Sequence, residues 1–125
     1  MSPLDSARTA YARPDAPLRT PRSLEYDLLA RMTQRMTATA TRRDTDFPAF
    51  AGALHDNLRL WSTLAADVAG SGNGLPPKLR AQLFYLYQFT AAHSAKVLET
   101  SADIEVLVDI NTAVMRGLRG DGRRG

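Results

Sequence analysis

Phe47-Pro48-Ala49-Phe50-Ala51-Gly52-Ala53-Leu54-His55-Asp56-Asn57-Leu58-Arg59-Leu60-Trp61-Ser62-Thr63-Leu64-Ala65-Ala66-Asp67-Val68 carries apolar side chains at three- and four-residue intervals along its whole length. Phe47, Phe50, Ala51, Leu54, Leu58, Trp61, Ala65 and Val68 make up the series, which is one face of an amphipathic α-helix. Asp46 stands where an acidic N-cap belongs, and Pro48 fits a first turn whose N–H groups have no intrahelical partner. About 22 helical residues span roughly 33 Å. Gly70-Ser71-Gly72-Asn73-Gly74 stops the helix, and Pro76 and Pro77 open the next one.

Working outward, Leu24, Leu28, Met32 and Met36 predict the buried face of an earlier helix that starts near Pro21 or Arg22 and is capped by Thr20 or Ser23. Its Thr-rich end, Thr37 to Arg43, has lower helix propensity and basic residues suited to a C-terminus. A helix from about Pro77 to Glu99 follows the glycine-rich turn, and a last one runs from about Asp103 to Leu118 with Ile104, Leu107, Val108, Val114, Met115 and Leu118 on one side. Pro3, Pro14, Pro17 and Pro21 restrict residues 1–21 to an arm with one short helical piece around Leu4–Ala12. The Arg/Gly tail 119–125 has nothing to bury, which predicts disorder. The expected fold is therefore all-α: a small single-domain bundle of three to four main helices over residues 1–118.

A chain of 125 residues has room for one core. No apolar stretch is long enough to span a bilayer, and no charged start leads into an apolar signal segment, so the expected location is the cytoplasm. The absence of cysteine removes thiolate zinc sites, iron–sulfur ligation and cysteine nucleophiles. The pI near 9.7 reflects a net charge of only +3. That excess sits in residues 1–45, with eight Arg/Lys against five Asp/Glu, whereas residues 46–125 hold eight of each. Such a balance raises the pI without producing the strong field of a nucleic-acid binder.

Catalytic constellations are poor. His55 and Asp56 are adjacent, so on a helix they diverge by about 100°. His93-Ser94 lacks the strand-turn-helix setting of a hydrolase nucleophile. Gly70 to Gly74 lacks the Gly-Lys-Ser/Thr ending with which a P-loop holds phosphate, and reads as a connection between helices. Neither an enzyme, a metal nor a cofactor is expected. Lys78 and Arg80 stand at a helix start, where positive charge is unfavourable, which fits either solvated charges or a partner contact.

Two features point to binding. Leu83-Phe84-Tyr85-Leu86-Tyr87-Gln88-Phe89 is apolar or aromatic nearly all the way round, so its helix is either central in the bundle, the plainer reading, or partly exposed as a groove for another helix. Asn57 and Asn111 lie amid apolar neighbours, and either join helices through their amides or sit on the surface.

Three blocks in order, Asn57-Leu58-Arg59-Leu60-Trp61 with Leu64 and Asp67, Asn73-Gly74-Leu75-Pro76-Pro77-Lys78-Leu79-Arg80, and Ile110-Asn111-Thr112-Ala113-Val114-Met115-Arg116-Gly117-Leu118, resemble the flagellar regulator family FlaF. The resemblance starts at Ala10-Tyr11-Ala12 and reaches Leu118. It implies a protein that works with flagellin, and with a second regulator, FlbT, to promote flagellin production and secretion, by engaging newly made flagellin in a chaperone-like way. Direct binding of flagellin mRNA, through Arg35, Arg42 and Arg43, is the runner-up. The contact surface expected on the first reading is Leu60, Trp61, Leu64, Phe84, Tyr85 and Tyr87, with Arg80 nearby and with Asn57, Asp67 and Asn111 acting by orientation.

Overall fold

The computed structural model describes residues 21–70, 76–100 and 102–118. The arm, the Thr20 cap and the Arg/Gly tail lie outside the described residues. Four helices follow in order: α1 (Pro21–Ala40), α2 (Phe47–Ala69), α3 (Pro77–Glu99) and α4 (Glu105–Leu118). No strand occurs among the described residues, so the all-α expectation holds.

The ends of α2 form as their chemistry dictates. The Asp46 carboxylate accepts the Ala49 N–H at 3.3 Å, Pro48 occupies the first turn, and the Gly70 N–H closes the last turn onto the Asp67 carbonyl. Gly70 is in extended backbone (φ −70°), so it terminates the helix without a left-handed turn. α4 begins two residues later than its acidic start suggested, because the Asp103 carboxylate caps the Glu105 N–H at 3.0 Å.

The packing is up-down-up-down. Met36 of α1 shares a core cluster with Phe50, Ala53 and Leu54 of α2, Val97 of α3 and Leu107 of α4. Leu29, Trp61, Val114 and Leu118 build the cluster at the opposite end, with Leu83, Leu86 and Tyr87 against it. As residue number rises through α1 it falls through α2 and α4, so neighbouring helices are antiparallel, as short connections favour. α2 packs closely on α1 and α3, and α1 on α4, while α3 and α4 barely touch. The ring of four helices is thus open along one seam.

Arg43 clamps the turn between α1 and α2. Its Nη2 donates to the Thr100 carbonyl at 2.8 Å and the Leu98 carbonyl at 3.4 Å, at the negative end of α3, and its guanidinium lies over the rings of Phe47 and Phe50. This explains why Phe47 stays 42% exposed although it belongs to the apolar series of α2: its ring is covered by a cation at the surface.

The face of α1 differs from its sequence reading. Leu24 is exposed, Leu28 and Met32 are half-buried, and the interior is reached by Leu29, Met36 and Thr39. For α3 the plainer of the two readings gives way to the other: the helix is lateral, not central, and buries Leu79, Thr90, Ser94 and Val97, whereas Phe84 and Tyr85 are exposed.

Candidate functional site

Asn57, Trp61 and Asn111 meet inside the bundle. The Trp61 indole Nε1 donates to Asn111 Oδ1 at 2.9 Å, and Asn111 Nδ2 donates to Asn57 Oδ1 at 2.8 Å and to Thr33 Oγ1 at 3.1 Å. One amide therefore ties α1, α2 and α4 together between the two apolar clusters. All three candidate residues are 0–1% exposed. Their role is interior hydrogen bonding in the low-dielectric core, and they are removed from the expected contact surface. Of the two readings of Asn57 and Asn111, the one joining helices is correct.

The remaining candidates do not share one face. Leu60 lines a shallow depression between α1 and α2 with Leu28, Met32 and Arg59. Leu64 is half-buried on α2, and Tyr87 packs against the Trp61 cluster. Tyr85 is 63% exposed and Phe84 44%, the latter ring lying 5.9 Å from that of Tyr87. Tyr85 stands on the open seam.

That seam is a groove of about 440 Å³ walled by Leu79, Gln82, Leu83, Tyr85 and Leu86 of α3 and by Ile110, Ala113 and Val114 of α4. Its surface is overwhelmingly apolar. The groove follows from local sequence: Leu79, Leu83 and Leu86 recur at helical spacing, as do Ile110 and Val114, and the two rows face each other without another helix between them. Leu83, Tyr85 and Leu86 lie in the stretch that the sequence offered as a groove, but of these wall residues only Tyr85 was named as a contact residue. Their periodicity was visible, but the gap between α3 and α4 is a tertiary property.

The charged candidates do not line the groove. Arg80 is half-buried at the start of α3, its Nε carrying no hydrogen-bond partner. Asp67 is exposed near the end of α2 and acts on Glu25 of α1. Burial, reinforced by the Asp67 charge, pushes the Glu25 carboxyl up to about 7. A folded-state pKa above the unfolded value contributes stability fully present below about 4.5 and lost as pH rises through about 7. Glu25→Gln should therefore be more stable than the parent at pH 8, by about 1–2 kcal/mol after allowance for partial solvent exposure, with the gap closing by pH 4.5. Urea unfolding at the two pH values checks this; a difference that is the same at both would sink it.

Two of the three arginines of the RNA reading have structural work, while Arg42 is exposed and its side chain reaches the Ala38 carbonyl of α1 at 3.4 Å. Arg35 pairs with Asp56 at 2.6 Å across α1 and α2, its hydrogen bond holding the Asp56 carboxyl below the usual carboxylate range, and Arg43 is the clamp described above. His93 Nε2 lies 2.8 Å from the Asp103 carbonyl, with the ring stacked on Phe89, and His55 is exposed. Among the described residues no group of three or more His, Cys, Asp or Glu side chains is placed to hold a metal ion, and no helix is long and apolar enough to cross a membrane.

The family model described as flagellar protein FlaF matches residues 7–118 of this chain. No curated protein and no solved structure matches it.

Proposed function

The chain belongs to the FlaF family of flagellar proteins, and from that premise we propose that it regulates flagellin synthesis and secretion during flagellum biogenesis by binding flagellin in a chaperone-like way. The observation that supports this reading is the uncovered apolar groove between α3 and α4, rimmed by Tyr85. Apolar segments that become helical only on assembly associate prematurely when left bare, and a groove between two helices can take one as an added helix. Covering such a segment keeps the subunit soluble and exportable. The setting is the cytoplasm, where flagellin is made, and FlbT is a candidate second partner.

Binding measured with purified flagellin monomer, FlbT and flagellin transcript offered separately tests the proposal. Flagellin should bind, and its affinity should hold between 50 and 200 mM salt, because burial of apolar faces is not screened. A contact made through several phosphates instead loses affinity steeply over that range. Tyr85→Glu should weaken flagellin binding by roughly tenfold or more, since it sets a charge against an apolar helix face. Its thermal midpoint should stay near that of the parent, because the ring is mostly in solvent. A chain that ignored flagellin but bound the transcript in a salt-sensitive manner would establish the RNA regulator in its place.

A further inference from the structure

The groove has a direction. On α4, Arg116 lies three residues after Ala113 and Asp109 four before it, so all three share the rim of the groove, with Glu105 one turn beyond Asp109. On α3, Lys78 lies one turn before Gln82 on the same rim. Lys78, Glu105, Asp109 and Arg116 are all exposed. Because α3 and α4 are antiparallel, Lys78 and Arg116 stand together at one end. At the other end Lys96, with Arg43 on the Leu98 and Thr100 carbonyls, is outnumbered by Glu99, Asp103, Glu105 and Asp109. The sign of charge thus reverses within about 10 Å along α4, seven residues at 1.5 Å rise.

We propose that the groove takes one amphipathic helix of the partner, and takes it in one direction: N-terminus at the Glu105/Asp109 end, C-terminus at the Lys78/Arg116 end, parallel to α4. The floor, made of Leu79, Leu83, Leu86, Ile110 and Val114, supplies apolar contact without polarity, so either direction would bury the same surface. The rim charges choose between them. An entering helix carries partial positive charge at its N-terminus and partial negative charge at its C-terminus, and both ends meet opposite charge only in this direction. This inference rests on the reading that flagellin is the partner and adds the polarity of its docked segment.

The chain has no cysteine, so a single introduced thiol can be labelled uniquely. Lys78→Cys and Glu105→Cys, each carrying a benzophenone maleimide, are irradiated with full-length flagellin monomer, and the cross-linked peptides are mapped by mass spectrometry. The label at 78 should attach toward the C-terminal end of a flagellin helix and the label at 105 toward the N-terminal end of that same helix. The opposite pairing overturns the inference and leaves flagellin binding intact. So do labels that capture no flagellin while flagellin still binds the labelled chain. Labels joining two copies of this chain overturn it in favour of self-association, and failure of flagellin to bind the unlabelled chain removes the inference together with the reading beneath it. The unlabelled variant Lys78→Glu/Arg116→Glu should lose about fivefold in affinity at low ionic strength, and less as salt is raised. No change at low salt would show that the rim does not steer the helix.

Discussion

Trp61→Ala loses about 3–5 kcal/mol of folding stability, the range expected when a fully buried large aromatic is cut back in a packed core. Against a total of roughly 5–15 kcal/mol for a domain, that threatens folding outright. The indole is 0% exposed and packs with Leu29, Val114 and Leu118 at one end of the bundle. Trp61→Phe separates the two contributions of this side chain. It keeps most of the apolar volume but leaves Asn111 Oδ1 without its donor, and should lose about 1–3 kcal/mol. Urea titration followed by circular dichroism gives both values. A parent-like midpoint for Trp61→Ala would mean that the indole lies outside the core.

Asn111→Ala should come close behind, at about 2–5 kcal/mol. The substitution removes an amide that serves three partners, and strands the Trp61 N–H and the Asn57 carbonyl oxygen where water does not reach them. Asn57→Ala removes one of the same bonds, so the double variant should lose less than the sum of the singles by at least about 0.5 kcal/mol. Strict additivity would contradict the shared network.

α2 was legible from end to end because its cap, its proline and its periodicity agree; the structure departs from the reading where Arg43 covers Phe47, where Ala53 is buried outside the series, and where Ala51 and Leu58 stay half-buried. α1 shows why a four-residue count misleads. Each step of four advances 400° around a helix with 100° per residue, so Leu24, Leu28, Met32 and Met36 drift through about 120° in three steps. The stripe that faces the core, Leu29, Thr33, Met36 and Ala40, alternates four and three and stays in line. Two features hid it: a threonine in its middle, and an apolar side chain at Leu24 that solvent tolerates. In α3 the error has another source. Small hydroxyl side chains, Thr90 and Ser94, take buried positions on this helix, while of the larger aromatic ones Phe84 and Tyr85 stay exposed and Tyr85 reaches the open seam. Hydrophobicity ranks side chains by transfer energy and cannot say which of them fits the available gap. The candidate site divided accordingly: Tyr85 was found at the groove, Asn57, Trp61 and Asn111 proved to be interior, and the groove walls required knowledge of which helices do not touch.

The amide of Asn111 reaches back 78 residues to Thr33. On a ribosome adding about 5–20 residues per second, roughly 4–16 s separate the emergence of these two partners. For the last 50 residues of that interval, from Trp61 to Asn111, the nascent chain holds α1 and α2 with the Trp61 N–H lacking its acceptor and Leu29 lacking the cover of Val114 and Leu118. α4 therefore closes the bundle last: a chain cut short before it would hold three helices with Leu29 and Trp61 uncovered on the side that Val114 and Leu118 otherwise fill.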